Sequence, residues 1–89
     1  MLDDVKEVCR EPIAEMERNG LTAADGWRVT HVRMVGGFVE FTKGDVCITC
    51  DGERLGFVWY VMDRSARVGG YSALLSRAIA EAKANGWPL

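Results

Sequence analysis

The 89-residue sequence has little histidine, proline and cysteine, and these shortages exclude several classes of protein. It contains one histidine, two prolines and three cysteines. Three cysteines are an odd and sparse set, whereas a small secreted scaffold usually carries a dense, even set that forms disulfides. We therefore expect a protein of a reducing compartment, which makes it cytoplasmic.

Long apolar runs and charge of one sign are also missing. The longest apolar stretch, residues 55–62, is far shorter than the roughly 20 residues of a membrane helix. Acidic residues stand where a signal peptide needs positive charge. The net charge of −2 is typical of neither a basic nucleic-acid arm nor an acidic tail. At this length, with 48% hydrophobic residues, we expect one globular domain over residues 1–89.

Two segments have apolar residues at helical spacing. Residues 2–19 repeat apolar side chains every three to four positions. Pro12 lies inside this segment, so we expect either one kinked helix or two short helices that divide at the proline. Residues 71–85 carry a second apolar stripe that begins with Tyr71 and Leu74. The chain therefore begins and ends in helix.

The intervening residues, 27–62, are rich in β-branched and aromatic side chains. Three glycine-containing pairs interrupt them and are typical of two-residue hairpin tips. These pairs are Gly36-Gly37, Lys43-Gly44 and Asp51-Gly52. If each pair is a tip, two apolar rows align across four strands. The rows are Met34–Val39–Ile48–Leu55 and Val32–Phe41–Val46–Phe57.

The aligned rows give one apolar sheet face, and each helix has one apolar stripe to bury against it. Residues 63–70 are expected to form a polar loop between the last strand and the last helix. The sequence therefore predicts a two-layer α+β fold, a four-stranded antiparallel meander with the N- and C-terminal helices packed on one face. The element order is α-β-β-β-β-α.

The residue types that carry chemistry do not form a catalytic or metal-binding pattern. Cys47 and Cys50 have C-x-x-C spacing, but no second pair of cysteine or histidine ligands follows them, as structural zinc requires. Residues three apart in a strand point to opposite faces, so we expect Cys50 in the core and Cys47 outside. His31 has no nucleophile or orienting group near it in sequence. We therefore expect no enzymatic activity, metal or cofactor. A domain stabilised by a metal ion is a third hypothesis, ranked after a protein-binding domain and a nucleic-acid-binding module.

The charges are unevenly distributed along the chain. Residues 1–26 carry −4, residues 27–62 carry 0, and residues 63–89 carry +2. An acidic first helix is a candidate surface for a basic groove on a partner protein, because charge complementarity speeds and orients association. Its residues are Asp3, Asp4, Glu7, Glu11 and Glu15.

A second candidate surface is the outer sheet face, which the helices leave uncovered. A monomer seldom exposes a large apolar patch without use, and aromatic residues beside arginine are typical of interfaces. The residues are Val35, Phe38, Arg54, Val58 and Tyr60. We expect this face to bind either a partner protein or a second copy of the chain.

The stretch from Gly52 to Val61, continued by Gly70-Tyr71-Ser72-Ala73-Leu74-Leu75, resembles small phage- or prophage-encoded accessory proteins. Among these are inhibitors of the anti-CRISPR type. The resemblance covers about the last forty residues, and it implies a non-enzymatic protein that occludes a host complex. The element order is also similar to that of double-stranded-RNA-binding domains, but this chain lacks the lysine cluster with which their last helix begins.

The leading hypothesis is a non-enzymatic protein-binding domain that inhibits a host protein or nucleoprotein complex, in the cytoplasm of the host cell if the protein is phage-encoded. The partner is bound through the acidic helix or the outer sheet face, and a homodimer is the other form of partnership. No membrane association is expected. The alternative is a small nucleic-acid-binding module, which would use arginines of the sheet and loops. These are Arg28, Arg33, Arg54, Arg64 and Arg67.

Overall fold

The computed structural model describes residues 2–33, 37–53 and 56–89, with side chains except at residues 2–8, 53, 56 and 57. Two helices and five strands follow one another along the chain. They are α1 (Leu2–Arg18), β1 (Arg28–Arg33), β2 (Phe38–Lys43), β3 (Val46–Glu53), β4 (Gly56–Asp63), β5 (Val68–Ser72) and α2 (Leu75–Ala84). A short 3₁₀ turn, Ala23–Asp25, joins α1 to β1. The α+β class and the presence of two helices are confirmed.

The described strands form one antiparallel sheet in the order β1-β2-β3-β4-β5. The prediction of four strands is therefore wrong by one. Strand β5 occupies residues that the sequence assigns to a loop and to the start of the second helix. As a result, α2 begins at Leu75, and Tyr71 and Leu74 are exposed rather than part of a buried helical stripe.

Close packing of α2 explains why β5 is rich in glycine. A Cβ atom added at Gly70 would lie 2.9 Å from the carbonyl carbon of Ala78 and 3.1 Å from the amide nitrogen of Ala82. One added at Gly69 would lie 2.6 Å from the Trp87 ring. Glycine weakens a strand but permits such close approach of another backbone. A glycine pair is typical of a loop, but Gly69 and Gly70 are needed in β5 so that α2 and Trp87 can lie directly against the strand.

The predicted faces of the strands are correct, but the predicted strand partners are wrong. Ile48 pairs with Val61 rather than with Leu55, because Asp51 and Gly52 lie inside β3 rather than at a hairpin tip. The partner is displaced by six residues, and an even displacement leaves every side chain on its face. The buried residues of β2 and β3 are Val39, Phe41, Val46, Ile48 and Cys50, and those of β4 are Trp59 and Val61.

The other two tips also differ from the prediction. Lys43 pairs with Val46, so the two-residue tip is Gly44-Asp45, with φ +59° at Gly44. Val32 pairs with Val39 rather than with Phe41. The predicted tip Gly36-Gly37 and the predicted row members Met34 and Leu55 fall partly or wholly outside the described residues, and the side chain of Phe57 is not described.

Both helices pack on the same face of the sheet, as predicted. Cys9 and Met16 of α1 join the buried residues of α2 in one core cluster with the inward-facing residues of β2, β3 and β4. Pro12 is fully buried within α1, which runs as a single helix through it. The buried residues of α2 are Leu75, Ala78, Ile79 and Ala82. Neither described helix combines the length and apolarity that crossing a membrane requires.

Candidate functional site

The sheet surface opposite the helices, which we call the open face, carries a continuous row of side chains across all five strands. Direct cross-strand partners have Cβ atoms about 4.5–5.5 Å apart, so each residue of the row touches the next. The row is His31–Glu40–Thr49–Tyr60–Tyr71. Flanking residues on the same face are Thr30, Arg33, Phe38, Thr42, Cys47, Asp51, Val58, Met62 and Val68.

An arginine and two rings form a cluster at the β1 side of the open face. The guanidinium carbon of Arg33 lies 5.1 Å from the centroid of the Phe38 ring. The ring of His31 meets Phe38 in an edge arrangement, with centroids 5.7 Å apart. A cation over an aromatic ring is attracted by the negative ring face. Phe38 is therefore half-buried beneath a cation and a polar ring while it remains on the surface.

Two tyrosines form an apolar cluster at the opposite side. The rings of Tyr60 and Tyr71 lie 5.0 Å apart between centroids, in a tilted arrangement that aromatic pairs favour. Tyr71 is 54% exposed and Val68 is 49% exposed. Met62 pairs with Val68 across the same two strands. This side of the face thus presents apolar area that ends in tyrosine hydroxyls.

Short polar side chains fill the centre of the open face. The Thr30 hydroxyl donates to a carboxylate oxygen of Glu40 at 2.7 Å and lies 2.7 Å from the hydroxyl of Thr42. The Thr42 hydroxyl lies 3.8 Å from the sulfur of Cys47. Thr49 is only 2% exposed, because larger side chains surround it. The centre is consequently flat, and its polar groups already have partners within the chain.

The predicted open-face residues fall into two groups. Phe38, Val58 and Tyr60 lie together on the open face, each half-buried. Val35 and Arg54 lie outside the described residues. Sequence reasoning missed Tyr71, Val68 and Met62, because it placed no strand at residues 68–72. The one sequence signal for a strand here was a tyrosine that directly follows a glycine pair, Gly69-Gly70-Tyr71.

The predicted acidic surface is not part of the open face, since α1 lies on the other side of the sheet. Glu11 is exposed. Glu15 is half-buried, forms an ion pair with Arg18 and accepts hydrogen bonds from it and from the Asn19 side chain. Asp3, Asp4 and Glu7 belong to the helix, but their side chains lie outside the description. Of the predicted acidic residues whose side chains are described, Glu11 is therefore the exposed one.

A groove of about 530 Å³ lies between α1 and the turn from β5 to α2. Its walls carry two basic and two acidic side chains, so the charges balance, and Trp59 lies at its base with a 3% exposed side chain. The residues that line it are Arg10, Glu11, Ala14, Glu15, Arg18, Trp59, Ala73, Leu74 and Leu75.

The arginines of the nucleic-acid alternative are spread over the molecule and engaged within it. The Arg28 guanidinium donates to the carbonyls of Ala23 and Trp27, both at 2.8 Å. Arg64 pairs with Asp45 at 3.2 Å, and Arg67 pairs with Asp63 at 3.2 Å. Arg54 lies outside the described residues. Described formal charges on the open face are two positive, Arg28 and Arg33, and two negative, Glu40 and Asp51, a balance that does not favour phosphate.

The cysteines lie on the faces that the sequence predicts. Cys50 is fully buried in the core, while Cys47 is half-buried on the open face. Burial raises the pKa of the Cys50 thiol to about 12, and the nearby carboxylates of Asp51 and Glu15 add to the effect. Burial also raises the pKa of Cys9. Among the described residues, no three His, Cys, Asp or Glu side chains come together in a group that would hold a metal ion.

We compared the chain with protein-family models, with curated proteins and with solved structures, and no match was found in any of the three.

Proposed function

We propose that this protein is a non-enzymatic binding protein whose open face docks onto the surface of a partner protein. The observation that carries the proposal is the row His31–Glu40–Thr49–Tyr60–Tyr71, which crosses the sheet on the side where no described helix packs. A surface formed by five hydrogen-bonded strands is rigid. A partner therefore binds it without first ordering it, which saves conformational entropy.

The composition of the open face supports a protein partner. Tyrosine, phenylalanine, methionine and arginine are enriched in protein interfaces, whereas lysine, glutamate, aspartate, serine and alanine are depleted. The described open face contains all of the former and, of the latter, only Glu40 and Asp51. Tyrosine and arginine are also typical hot-spot residues. We infer that the partner presents apolar area with a few hydrogen-bonding groups and balanced charge.

The size of the face sets the expected strength of binding. Five strands at a spacing of about 4.8 Å, each some five to eight residues long, span roughly 20 Å by 20 Å. That area, about 400 Å², is roughly half of the approximately 800 Å² per partner of a standard interface. We therefore expect one open face to bind with an affinity in the micromolar range.

The test compares charge substitutions on two sides of the molecule. Phe38→Glu places a carboxylate in the Arg33–Phe38 cluster, and Ala80→Glu is the matched control on the exposed side of α2. Proteins captured from the native cell by the wild type are identified by mass spectrometry, purified and bound again in solution. We expect Phe38→Glu to weaken the reconstituted complex at least about tenfold and Ala80→Glu to leave it within about twofold.

Cys47 provides a second readout, since it lies on the open face and is half-buried. Its reaction with a thiol reagent is expected to slow when the partner is bound. If Phe38→Glu binds as well as wild type and Cys47 is not protected, the open face is not the docking site. If charge reversal at Glu11 abolishes binding instead, the acidic helix is the surface. Steeply salt-dependent binding to DNA or RNA would replace the proposal by the nucleic-acid alternative.

The resemblance to anti-CRISPR-type inhibitors extends the proposal to the nature of the partner. It implies a host nucleoprotein complex that the protein blocks by occlusion. Interference by that complex against a targeted plasmid is measured in cells that produce wild type, Phe38→Glu or Ala80→Glu protein. We expect wild type and Ala80→Glu to restore plasmid transformation and Phe38→Glu to fail. Full interference in the presence of wild type would contradict the inhibitor proposal.

A further inference from the structure

The two edges of the sheet differ in how well they are protected against pairing with another strand. Edge strands of natural sheets usually carry charges, prolines or bulges that prevent such pairing. Strand β1 carries Arg28 and Arg33 and has an irregularity between Val29 and His31. Strand β5, Val68–Ser72, contains no charged residue and no proline. Its one irregularity lies at its first residues, opposite Val61 and Met62.

Exposed apolar side chains are concentrated at the less protected edge, β5. The described large hydrophobic residues that are exposed are Val29, Val68, Tyr71 and Leu74, at 42%, 49%, 54% and 54%. Three of the four lie in or directly after β5. The fourth, Val29, lies on the opposite edge strand. The edge strand without charged residues is thus also the edge with more exposed apolar side chains.

The edge of β5 is complementary to itself. In an antiparallel pair around a two-fold axis perpendicular to the sheet, a residue on the axis faces its own copy. With Tyr71 on the axis, Gly70 faces the second copy's Ser72. The exposed Val68 then lies against the segment that carries the second copy's Ala73 and Leu74. One register therefore brings all three exposed residues of this edge into the contact.

The backbone groups that are already engaged limit the ladder to the middle of this edge. The carbonyl of Gly69 accepts a hydrogen bond from the Asn85 side chain at 2.9 Å, and the Leu74 amide donates to the Ser72 hydroxyl at 3.1 Å. The backbone groups of residues 70–73 that point away from β4 remain for pairing with a second copy, and Tyr71 lies near the middle of that segment. The same register is thus favoured by the hydrogen-bonding groups and by the exposed side chains.

We propose that two copies of the chain pair through β5, antiparallel and with Tyr71 facing Tyr71, to form one continuous ten-stranded sheet. The open-face row then continues across the two-fold axis, with Tyr60 and Tyr71 of each copy forming four adjacent tyrosines. Cross-strand aromatic pairs stabilise such a contact. A contact this small is expected to be reversible, with dissociation in the micromolar to millimolar range.

The first test is the mass of the full chain in solution, measured by sedimentation from about 10 µM to about 1 mM. Wild type is expected to shift from the 9.9 kDa monomer towards twice that mass. Val68→Lys places a charge against the apolar Leu74 segment of the other copy at each end of the contact, and is expected to weaken dimerisation at least about tenfold. Val29→Lys is the matched control, because it makes the same change at the exposed valine of the other edge strand. We expect it to change the dissociation constant of the dimer by less than about twofold.

The second test fixes the register. Directly paired residues of antiparallel strands have Cα atoms about 4.5–5.5 Å apart, a separation that a disulfide spans. In a Cys47→Ser background, Tyr71→Cys is expected to form a disulfide dimer on mild oxidation, and Val29→Cys is not. The proposal is overturned if wild type stays monomeric to 1 mM, if Val68→Lys dimerises as wild type does, or if Tyr71→Cys fails to cross-link. None of these results bears on partner binding by Phe38, because strands β3 and β4 separate it from β5.

Discussion

Gly70→Ala is expected to destabilise the protein strongly, although alanine normally favours a strand over glycine. The added Cβ atom would lie 2.9 Å from the carbonyl carbon of Ala78, and nearer still to its oxygen. These are backbone atoms of α2, which cannot turn aside as a side chain does. The helix must therefore move away from the sheet by on the order of 1 Å to restore ordinary contact distances.

The energetic cost follows from what α2 buries. Its core residues include Leu75 and Ile79, at 1% and 7% exposure, and burial of each contributes about 1.5–3 kcal/mol. A gap near 1 Å removes roughly half of the contact energy along the helix. We therefore expect a loss of about 1.5–3 kcal/mol, which is a large part of the roughly 5–13 kcal/mol available to a domain of this size. The midpoint of thermal unfolding should fall by about 10–20 °C.

Urea denaturation followed by circular dichroism measures this loss, with Gly69→Ala as the control. At Gly69 the added atom meets the ring of Trp87, a half-buried side chain that can shift more readily than the backbone of a helix. We expect that variant to lose about 1 kcal/mol or less. If Gly70→Ala is within about 0.5 kcal/mol of wild type, or if both variants lose the same amount, contact between the helix and strand backbones does not explain the glycine pair.

Three further predictions concern the cysteines and the loop before β5. Burial raises the pKa of the Cys50 thiol from 9.0 to about 12, so as the pH rises this thiol ionises in the unfolded chain before it ionises in the folded one. The contribution of the Cys50 thiol to the free energy of unfolding is therefore complete below pH 9 and is lost as the pH rises to about 12. Unfolding free energies of wild type and Cys50→Ala between pH 8 and pH 11 should therefore converge at high pH, and parallel curves would contradict this. A thiol reagent at pH 8 should modify Cys47 in the folded protein and all three cysteines after unfolding; rapid modification of Cys9 in the folded state would be inconsistent with its burial. Asp63→Ala removes the carboxylate that accepts two backbone amides at 2.9 and 3.0 Å and pairs with Arg67, and should lower the stability by about 1–2 kcal/mol, whereas an unchanged melting temperature would refute that role.

The sequence was sufficient to predict which face each strand buries, but not which residues pair. Alternation with a period of two places Val39 and Ile48 in the core whatever the register. The choice of hairpin tip depends on distant contacts, and Asp51-Gly52 is drawn into β3 because the strand pairs along its full length with β4. Local turn preference amounts to about 1 kcal/mol, which the burial of Val61 and its neighbours outweighs.

Strand β5 was not predictable from local signals, because its sequence is determined by a tertiary contact. Gly70 has low strand propensity, and the reason for glycine there is the backbone of α2, which is eight residues further along the chain. The predicted open-face surface was incomplete for the same reason. With residues 68–72 read as loop and helix, Tyr71 was assigned to a buried stripe and Val68 to no surface, and the apolar side of the open face was incomplete.

The meander order of the sheet has a consequence for the folding kinetics. Each described strand pairs with its immediate neighbours in the chain, so the sheet grows hairpin by hairpin from local contacts, a topology that folds fast. Helix α1 is the exception, because its contacts with the sheet are distant in sequence. Glu15 of α1, for example, lies near Cys50, which is some 35 residues further along the chain. We expect α1 to dock after β3 and β4 have paired, and pulsed hydrogen exchange that protects the α1 amides first would contradict this order. Helix α1 precedes every strand in this sequence, and it is then the last of these elements to pack, over a sheet that is already formed.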